Sequence, residues 1–246
     1  MTMRPLSAHN LLRVWEVGEN QHPLDRALTL LANACPELTW DDLAALSIGQ
    51  RDGRLLRLRE QTSGPRLDGL AECPRCSERL EFDVAVADLQ VTADADGGEE
   101  VWELATEDLA LQFRVPNSRD LAAVVDCRDP AAAQNLLVQR CVLQASRDGM
   151  PVDSSALPVE AITKLAQRMA ECDPQAEVLL DLRCPACDHA WQALFDIVDF
   201  FWAELAAQAK RLLREVHTLA RAYGWREADV LTMSARRRQF YLEMVT

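Results

Sequence analysis

The 246-residue sequence lacks most of what marks an enzyme. It has no GxGxxG, no Walker phosphate loop, no HExxH and no GxSxG, so dinucleotide, nucleotide, zinc-peptidase and serine-hydrolase chemistry have no local support. Its four histidines, His9, His22, His189 and His217, are widely scattered. His217 lies among the apolar positions of a long helix and reads as packing or surface. The acid pairs Asp41-Asp42 and Glu99-Glu100 read as a helix cap and a solvated linker. No enzyme and no small-molecule substrate are expected. No window approaches the roughly 18 apolar residues of a membrane span. The opening "MTMRPLSAHNLLRVWEVGEN" has no signal-peptide apolar core. A soluble, cytoplasmic chain without membrane contact is the expectation.

Positive charge is scarce where it would be needed to hold nucleic acid. Residues 67–209 carry 10 basic and 27 acidic residues, a net of −17, in a chain whose total is −13. Such a middle repels phosphate backbones. Residues 210–246 carry a net of +4, and a basic end beside an acidic middle suits ordered contact with other proteins. The last segment could pass for a helix-turn-helix, with Arg236, Arg237 and Arg238 on phosphates. Glu227 and Asp229 stand at the start of its second helix, where base contacts belong. The alternative reading, a zinc-ribbon nucleic-acid-binding regulator, rests on that tail.

Periodicity indicates a mostly helical chain. Ser7 caps a helix over "AHNLLRVWEVG", and Pro23 starts another over "PLDRALTLLANAC". "LTWDDLAALSIGQRDGRLLRLREQ" reads as two short helices broken near Gly49 to Gly53, and "TSGPRLDG" as a loop. Leu80, Phe82, Val84 and Val86 alternate as in a half-buried strand. "ADLQVTADADGGEE" reads as an acidic linker and "VWELATEDLALQFRVP" as a hairpin. Asn117 and Ser118 cap a helix over "RDLAAVVDC"; "PAAAQNLLVQRCVLQAS" and "PVEAITKLAQRMAEC" read as two more. "AEVLLDLRC" and "HAWQALF" are strands, and a long helix follows to a stop at Gly224. Phe201, Leu205, Leu212, Val216, Leu219 and Tyr223 form one apolar stripe on it, to be buried by this chain's helices or by a partner. "READVLTMS" and "ARRRQFYLEMV" are two short closing helices.

Eight cysteines are the strongest signal. Four form two pairs of one form, Cys73-Pro-Arg-Cys76 and Cys184-Pro-Ala-Cys187. Each pair follows a strand-like arm and precedes an arm with aromatics: Phe82 after the first, Trp191 and Phe195 after the second. This is the pattern of a zinc knuckle, and one knuckle supplies half a tetrahedron. The halves are 107 residues apart, but loop-closure cost grows only logarithmically with length, and zinc binding on the order of 10 kcal/mol outweighs it. The expectation is one structural Zn2+ on Cys73, Cys76, Cys184 and Cys187, with the arms pairing as a small sheet and the aromatics covering the site. A closed all-thiolate site leaves no position for a reacting water. Two separate redox-active pairs, a degenerate site without metal, and His189 as a substitute ligand are the competing readings. Cys35, Cys127, Cys141 and Cys172 read as buried small hydrophobes.

The fold class that results is mainly α with small β: a helical protein with a four-cysteine zinc ribbon assembled from two distant knuckles. Residues 1–66 form an N-terminal helical region, 67–88 and 174–196 the two ribbon halves, 89–173 an inserted hairpin with helices, and 197–246 a C-terminal helical region.

The runs "LRCPACDHAWQALFDIVDFFWAEL" and "RLLREVHTLARAYGWREADVLTMSARRRQFYLEMV" resemble the baseplate proteins of T-even-type phages. Relatives of these occur in phage-tail-like contractile injection systems as baseplate hub assembly chaperones. The most specific part spans Glu215 to Leu242; "CPRCSERLEFDV" matches moderately, the N-terminal helices and 90–172 poorly. The resemblance implies a non-enzymatic protein that assists assembly of, or forms part of, a contractile-tail baseplate, with baseplate or tail proteins as partners. It implies a docking surface, or its support, at Trp202, Tyr223, Trp225, Phe240 and Tyr241.

Overall fold

Capping chemistry sets the N-terminal helices. In the computed structural model, which describes residues 3–91, 101–106 and 108–245, the Ser7 hydroxyl accepts from the Asn10 N–H and starts α1 (Ala8–Gly18). Pro23 opens α2 (Pro23–Ala34) behind His22, whose ring nitrogen accepts from the Leu24 N–H. Capping boxes Thr39/Asp42 and Ser47/Gln50 start α3 (Trp40–Ala45) and α4 (Ile48–Ser63). The expected break at Gly49 to Gly53 is absent: α4 runs through both glycines, and the break is at Leu46-Ser47, where the second capping box begins. Gly49 is small because another segment presses on it. An added Cβ would lie 2.0 Å from the Asp173 carboxylate, which accepts the Gly49 N–H at 2.9 Å. The expected loop at "TSGPRLDG" shrinks to Gly64-Pro65, because α4 reaches Ser63 and β1 (Arg66–Glu72) starts at once.

β1 pairs antiparallel with β2 (Arg79–Ala85). Val86, expected in that strand, opens the helical turn α5 (Val86–Leu89) and is buried with Leu89. Most of the expected acidic linker, 92–100, lies outside the described residues. An inserted module follows. Its sheet has the order β3-β4-β5-β6, built from β3 (Trp102–Ala105), β4 (Leu109–Phe113), β5 (Val142–Arg147) and β6 (Met150–Pro151). Helices α6 (Ser118–Val124), α7 (Pro130–Cys141) and α8 (Val159–Cys172) complete it. The helix expected over "PAAAQNLLVQRCVLQAS" ends at Cys141, and its second half is β5. Pairing with β4, with Leu111 opposite Ala145, overrides a local pattern that fits helix and strand alike. Leu109, Leu111, Phe113, Val138, Leu157, Ala161 and Leu165 form the module's own core.

Strands β7 (Val178–Arg183) and β8 (Ala190–Phe195) form a second hairpin. Asp196 then caps α9 (Ile197–Tyr223), and Gly224, at φ 67°, ends it in the left-handed conformation. The stripe residues Phe201, Leu205, Leu212, Val216 and Leu219 are buried in a core shared with α1, α2 and α4. The chain's own helices therefore cover the stripe. The closing helices α10 (Glu227–Thr232) and α11 (Ala235–Glu243) pack on α9. Both ends of the chain thus build one helical body.

Polar contacts tie the inserted module to that body. Gln175, 2% exposed, donates to the Leu89 carbonyl at 3.1 Å and accepts the Val91 N–H at 2.7 Å. The Ile48 N–H donates to the Pro116 carbonyl at 3.2 Å. Within the module, Asp120 is fully buried and held by Arg114 at 3.0 Å, Arg140 at 2.8 Å and the Asn117 N–H at 3.0 Å. Burial opposes its charge, but the Arg114 guanidinium, the Asn117 amide and Arg140 hold the carboxyl below its ordinary range.

Candidate metal centre

Both cysteine hairpins are rooted at the N-terminal half of α9. Arg59, nearly buried, makes a two-pronged contact with Glu204 of α9 at 2.9 and 2.7 Å, and donates to the Gly64 carbonyl at 2.8 Å, beside the start of β1. Phe195, at the end of β8, packs on Phe200 of α9 with ring centres 5.5 Å apart. Each hairpin carries its cysteine pair at the opposite, turn end.

The two turns are built alike. The Cys73 N–H donates to the Glu78 carbonyl at 2.9 Å, and the Cys184 N–H to the His189 carbonyl at 2.8 Å. The Ser77 N–H returns to Cys73 O at 2.9 Å, and the Asp188 N–H to Cys184 O at 3.0 Å. Ser77 at φ 58° and Asp188 at φ 57° occupy the left-handed region at matching positions. A proline follows the first cysteine of each pair, which fixes φ and removes one N–H.

The turns bring four sulfurs together. Those of Cys73, Cys76, Cys184 and Cys187 all lie within 4.8 Å of one another. Cys73 and Cys187 are 3.7 Å apart, Cys76 and Cys184 3.6 Å. These separations are far beyond a disulfide at about 2.05 Å. They match the edge of a tetrahedron whose centre is about 2.3 Å from each sulfur, roughly 3.8 Å. The donor set therefore fits a single metal ion. Cys73 and Cys184 are buried, Cys187 half-buried and Cys76 exposed. Both of these close pairs run between hairpins, so an ion there would bridge the two halves.

Electrostatics favour a cation in the cluster. Burial opposes ionisation of Cys73, but the amides of Arg75 and Cys76 and the neighbouring thiols pull it down to about 7. The Glu78 amide favours a thiolate at Cys76, yet Cys187, burial, Cys184 and Cys73 together push it up to about 12. At Cys187 the His189 amide favours the thiolate, but burial with the Cys184 and Cys73 thiols raises it on balance. One thiolate forms readily and the next is resisted, as expected where negative charges converge without a counter-ion.

The family described as T4 bacteriophage base plate protein matches residues 6–202. The chain belongs to this family. The baseplate match contains all four clustered cysteines, the inserted module and most of the helical body. Its extent differs from the resemblance drawn from sequence: it takes in the N-terminal helices and 90–172, and it ends before the Glu215–Leu242 pattern. Neither the curated proteins nor the solved structures contain a match. Among the described residues, no helix is long and apolar enough to cross a membrane.

The remaining expected features fall as follows. The hairpins form two separate two-stranded sheets, β1-β2 and β7-β8, rather than one; the sulfurs, not shared strand hydrogen bonds, join them. Phe82 lies over Gly69, where a Cβ would come within 2.2 Å of its ring. Trp191 stacks on His189 at 6.0 Å, and His189 meets the turn through its backbone. Trp202 is buried under Arg26, 4.6 Å from its ring. Tyr223, Trp225 and Tyr241 are half-buried; Tyr223 stacks on Trp225 at 4.4 Å, and Tyr241 meets both edge-on at 5.8 and 4.8 Å. Phe240 is 62% exposed. Cys35 and Cys141 are buried, Cys127 and Cys172 half-buried. Sequence reasoning missed Asp120, Arg59 and Gln175, because single polar residues at ordinary spacing carry no motif.

Proposed function

We propose that this protein assists assembly of, or forms part of, the baseplate of a contractile phage tail or tail-like injection system, and that it does so without catalysis. The family match over residues 6–202 carries this reading. The four cysteines support a structural rather than catalytic metal: Cys73, Cys76, Cys184 and Cys187 would hold one Zn2+ as a closed tetrahedron with no open position. Four thiolates and no harder donor select zinc over magnesium, calcium or manganese. When bound, the ion supplies a cross-link between segments 107 residues apart. The chain's own residues do the rest. Arg59 and Phe195 fix the roots of the hairpins on α9, and Gln175 closes the base of the inserted module. At the C-terminal end, Tyr223, Trp225 and Tyr241 would support a docking surface on which Phe240 is the exposed contact, with Trp202 a buried brace.

The test is co-expression with the sheath, tube and baseplate subunits of a contractile tail, followed by affinity capture of this chain. Co-purification of a baseplate subunit supports the proposal; capture of no tail protein contradicts it. A regulator would instead retard DNA at low salt and lose it as salt rises. Such binding by the metal-loaded chain would favour the nucleic-acid reading.

A further inference from the structure

Two exposed apolar residues in this chain sit in oppositely charged surroundings. On the first cysteine hairpin, the outward face of β1 presents Asp68, Leu70 and Glu72. Across the strand pair, Asp83, Glu81 and Arg79 stand opposite them in register. Leu70 is 73% exposed, an apolar centre between Asp68 and Glu72 along β1 and opposite Glu81, with Arg79 facing Glu72 across the pair. Asp83 is occupied by Arg66.

On α11 the pattern is reversed in sign. Arg236, Phe240 and Met244 follow at spacings of four, with Arg237 beside them, so they share one face. All four are exposed, Met244 at 64%. Arg237 lies 5.8 Å from the Tyr241 ring, and neither it nor Arg236 has an ion-pair partner among the described residues. The third arginine of the run is turned inward: Arg238 binds Glu215 of α9 at 3.0 Å and the Met233 carbonyl at 2.7 Å. It locks the helix so that the other two and Phe240 face outward.

We infer that these two faces bind each other between copies of this chain, the Leu70 face of one hairpin on the Phe240 face of the next copy's C-terminal helix. Within one chain both faces stay exposed, so neither covers the other. Charge favours a second copy as the occupant: the face around Phe240 carries Arg236 and Arg237 against one exposed acid, Glu243, in a chain of net −13, and the anionic-apolar face is present in every other copy. The two surfaces differ, so the contact is heterologous. Repetition of it gives a closed ring or an open filament rather than a two-fold dimer. The inference names an occupant for the C-terminal docking surface proposed above. It rests on that surface, and not on the chain's place in a tail.

The experiment uses purified full-length, zinc-loaded protein with no tail subunit present, so its result is independent of the co-expression test. Light scattering across a concentration series at ~50 mM NaCl is expected to show mass rising above the monomer, with association at least ~10-fold weaker at ~500 mM NaCl, where screening is strong. Two charge-reversed variants are then made, Arg236→Glu/Arg237→Glu and Asp68→Lys/Glu81→Lys. All four positions are exposed, and circular dichroism with zinc content confirms that each variant is folded. Each alone is expected to stay monomeric. Mixed in equal amounts they should associate again, because the intact hairpin of the first meets the intact helix of the second. A wild-type chain that is monomeric at every concentration and salt overturns the inference. So does association that both variants retain, or a mixture that stays monomeric.

Discussion

Removing one clustered sulfur should cost the protein the stabilisation of a long-range cross-link. Cys184 is the natural target, because it is buried, lies 3.6 Å from Cys76 across the hairpins, and anchors its own turn through the His189 carbonyl. A cross-link closing a loop of ~100 residues removes about 4.7 kcal/mol of chain entropy from the unfolded state, and 107 residues separate Cys76 from Cys184. For a chain of this size, 1 kcal/mol moves the melting temperature by about 2–4 °C. Cys184→Ser should therefore lower it by roughly 10–20 °C, and a chelator should do the same to the wild type. Because Arg59 and Phe195 hold the hairpin roots independently of the sulfurs, the turns should open before the helical body. Limited proteolysis should then cut near 74–78 and 185–189 first. Calorimetry with and without chelator measures the shift, with Cys127→Ser as the control thiol outside the cluster. A Cys184→Ser shift below ~3 °C, or one equal to that of Cys127→Ser, would refute the cross-link argument.

Other consequences follow from the packing. Asp120→Ala leaves Arg114 and Arg140 without their shared carboxylate and should cost about 3 kcal/mol by chemical denaturation. Because the Asp120 pKa is depressed in the folded state, its contribution is present above the unfolded value of about 3.9 and is lost as pH falls through the lower folded value; Asp120→Asn should flatten that acid limb of a stability-versus-pH series. Gly49→Ala drives a methyl against the Asp173 carboxylate and should destabilise by about 1–3 kcal/mol, although alanine is the better helix former. Asp196→Ala removes the cap accepting the Val198 and Asp199 N–H groups and should cost about 1 kcal/mol in the same assay.

What the sequence disclosed, and what it hid, follows from how local each signal is. Helices α1, α2 and α9 were legible because a capping residue and an apolar period lie within each segment, and α8 from its apolar period alone, since Pro158 at its start makes no side-chain cap. The cysteine pairs were legible because a repeated Cys-Pro-x-Cys has few other uses, and the geometry brings those four residues together. β5 was hidden, because Val142–Arg147 becomes a strand only by pairing with β4. α4 was misread because Gly49 looks like a helix breaker until Asp173, 124 positions away, is seen to require the missing Cβ. The two hairpins were expected to merge into one sheet, but their strands pair only within each hairpin. Among the aromatics of the C-terminal region, sequence could not separate Trp202, which is buried, from Phe240, which is exposed, since core and interface aromatics look alike in sequence.

Native mass spectrometry of the full chain, purified without added metal or chelator, tests the central claim most directly. The account predicts one zinc ion per chain in the wild type, retained in Cys127→Ser and lost or strongly depleted in Cys73→Ser and Cys184→Ser. A wild-type chain with no bound metal, or one whose metal survives both of those substitutions, would contradict it.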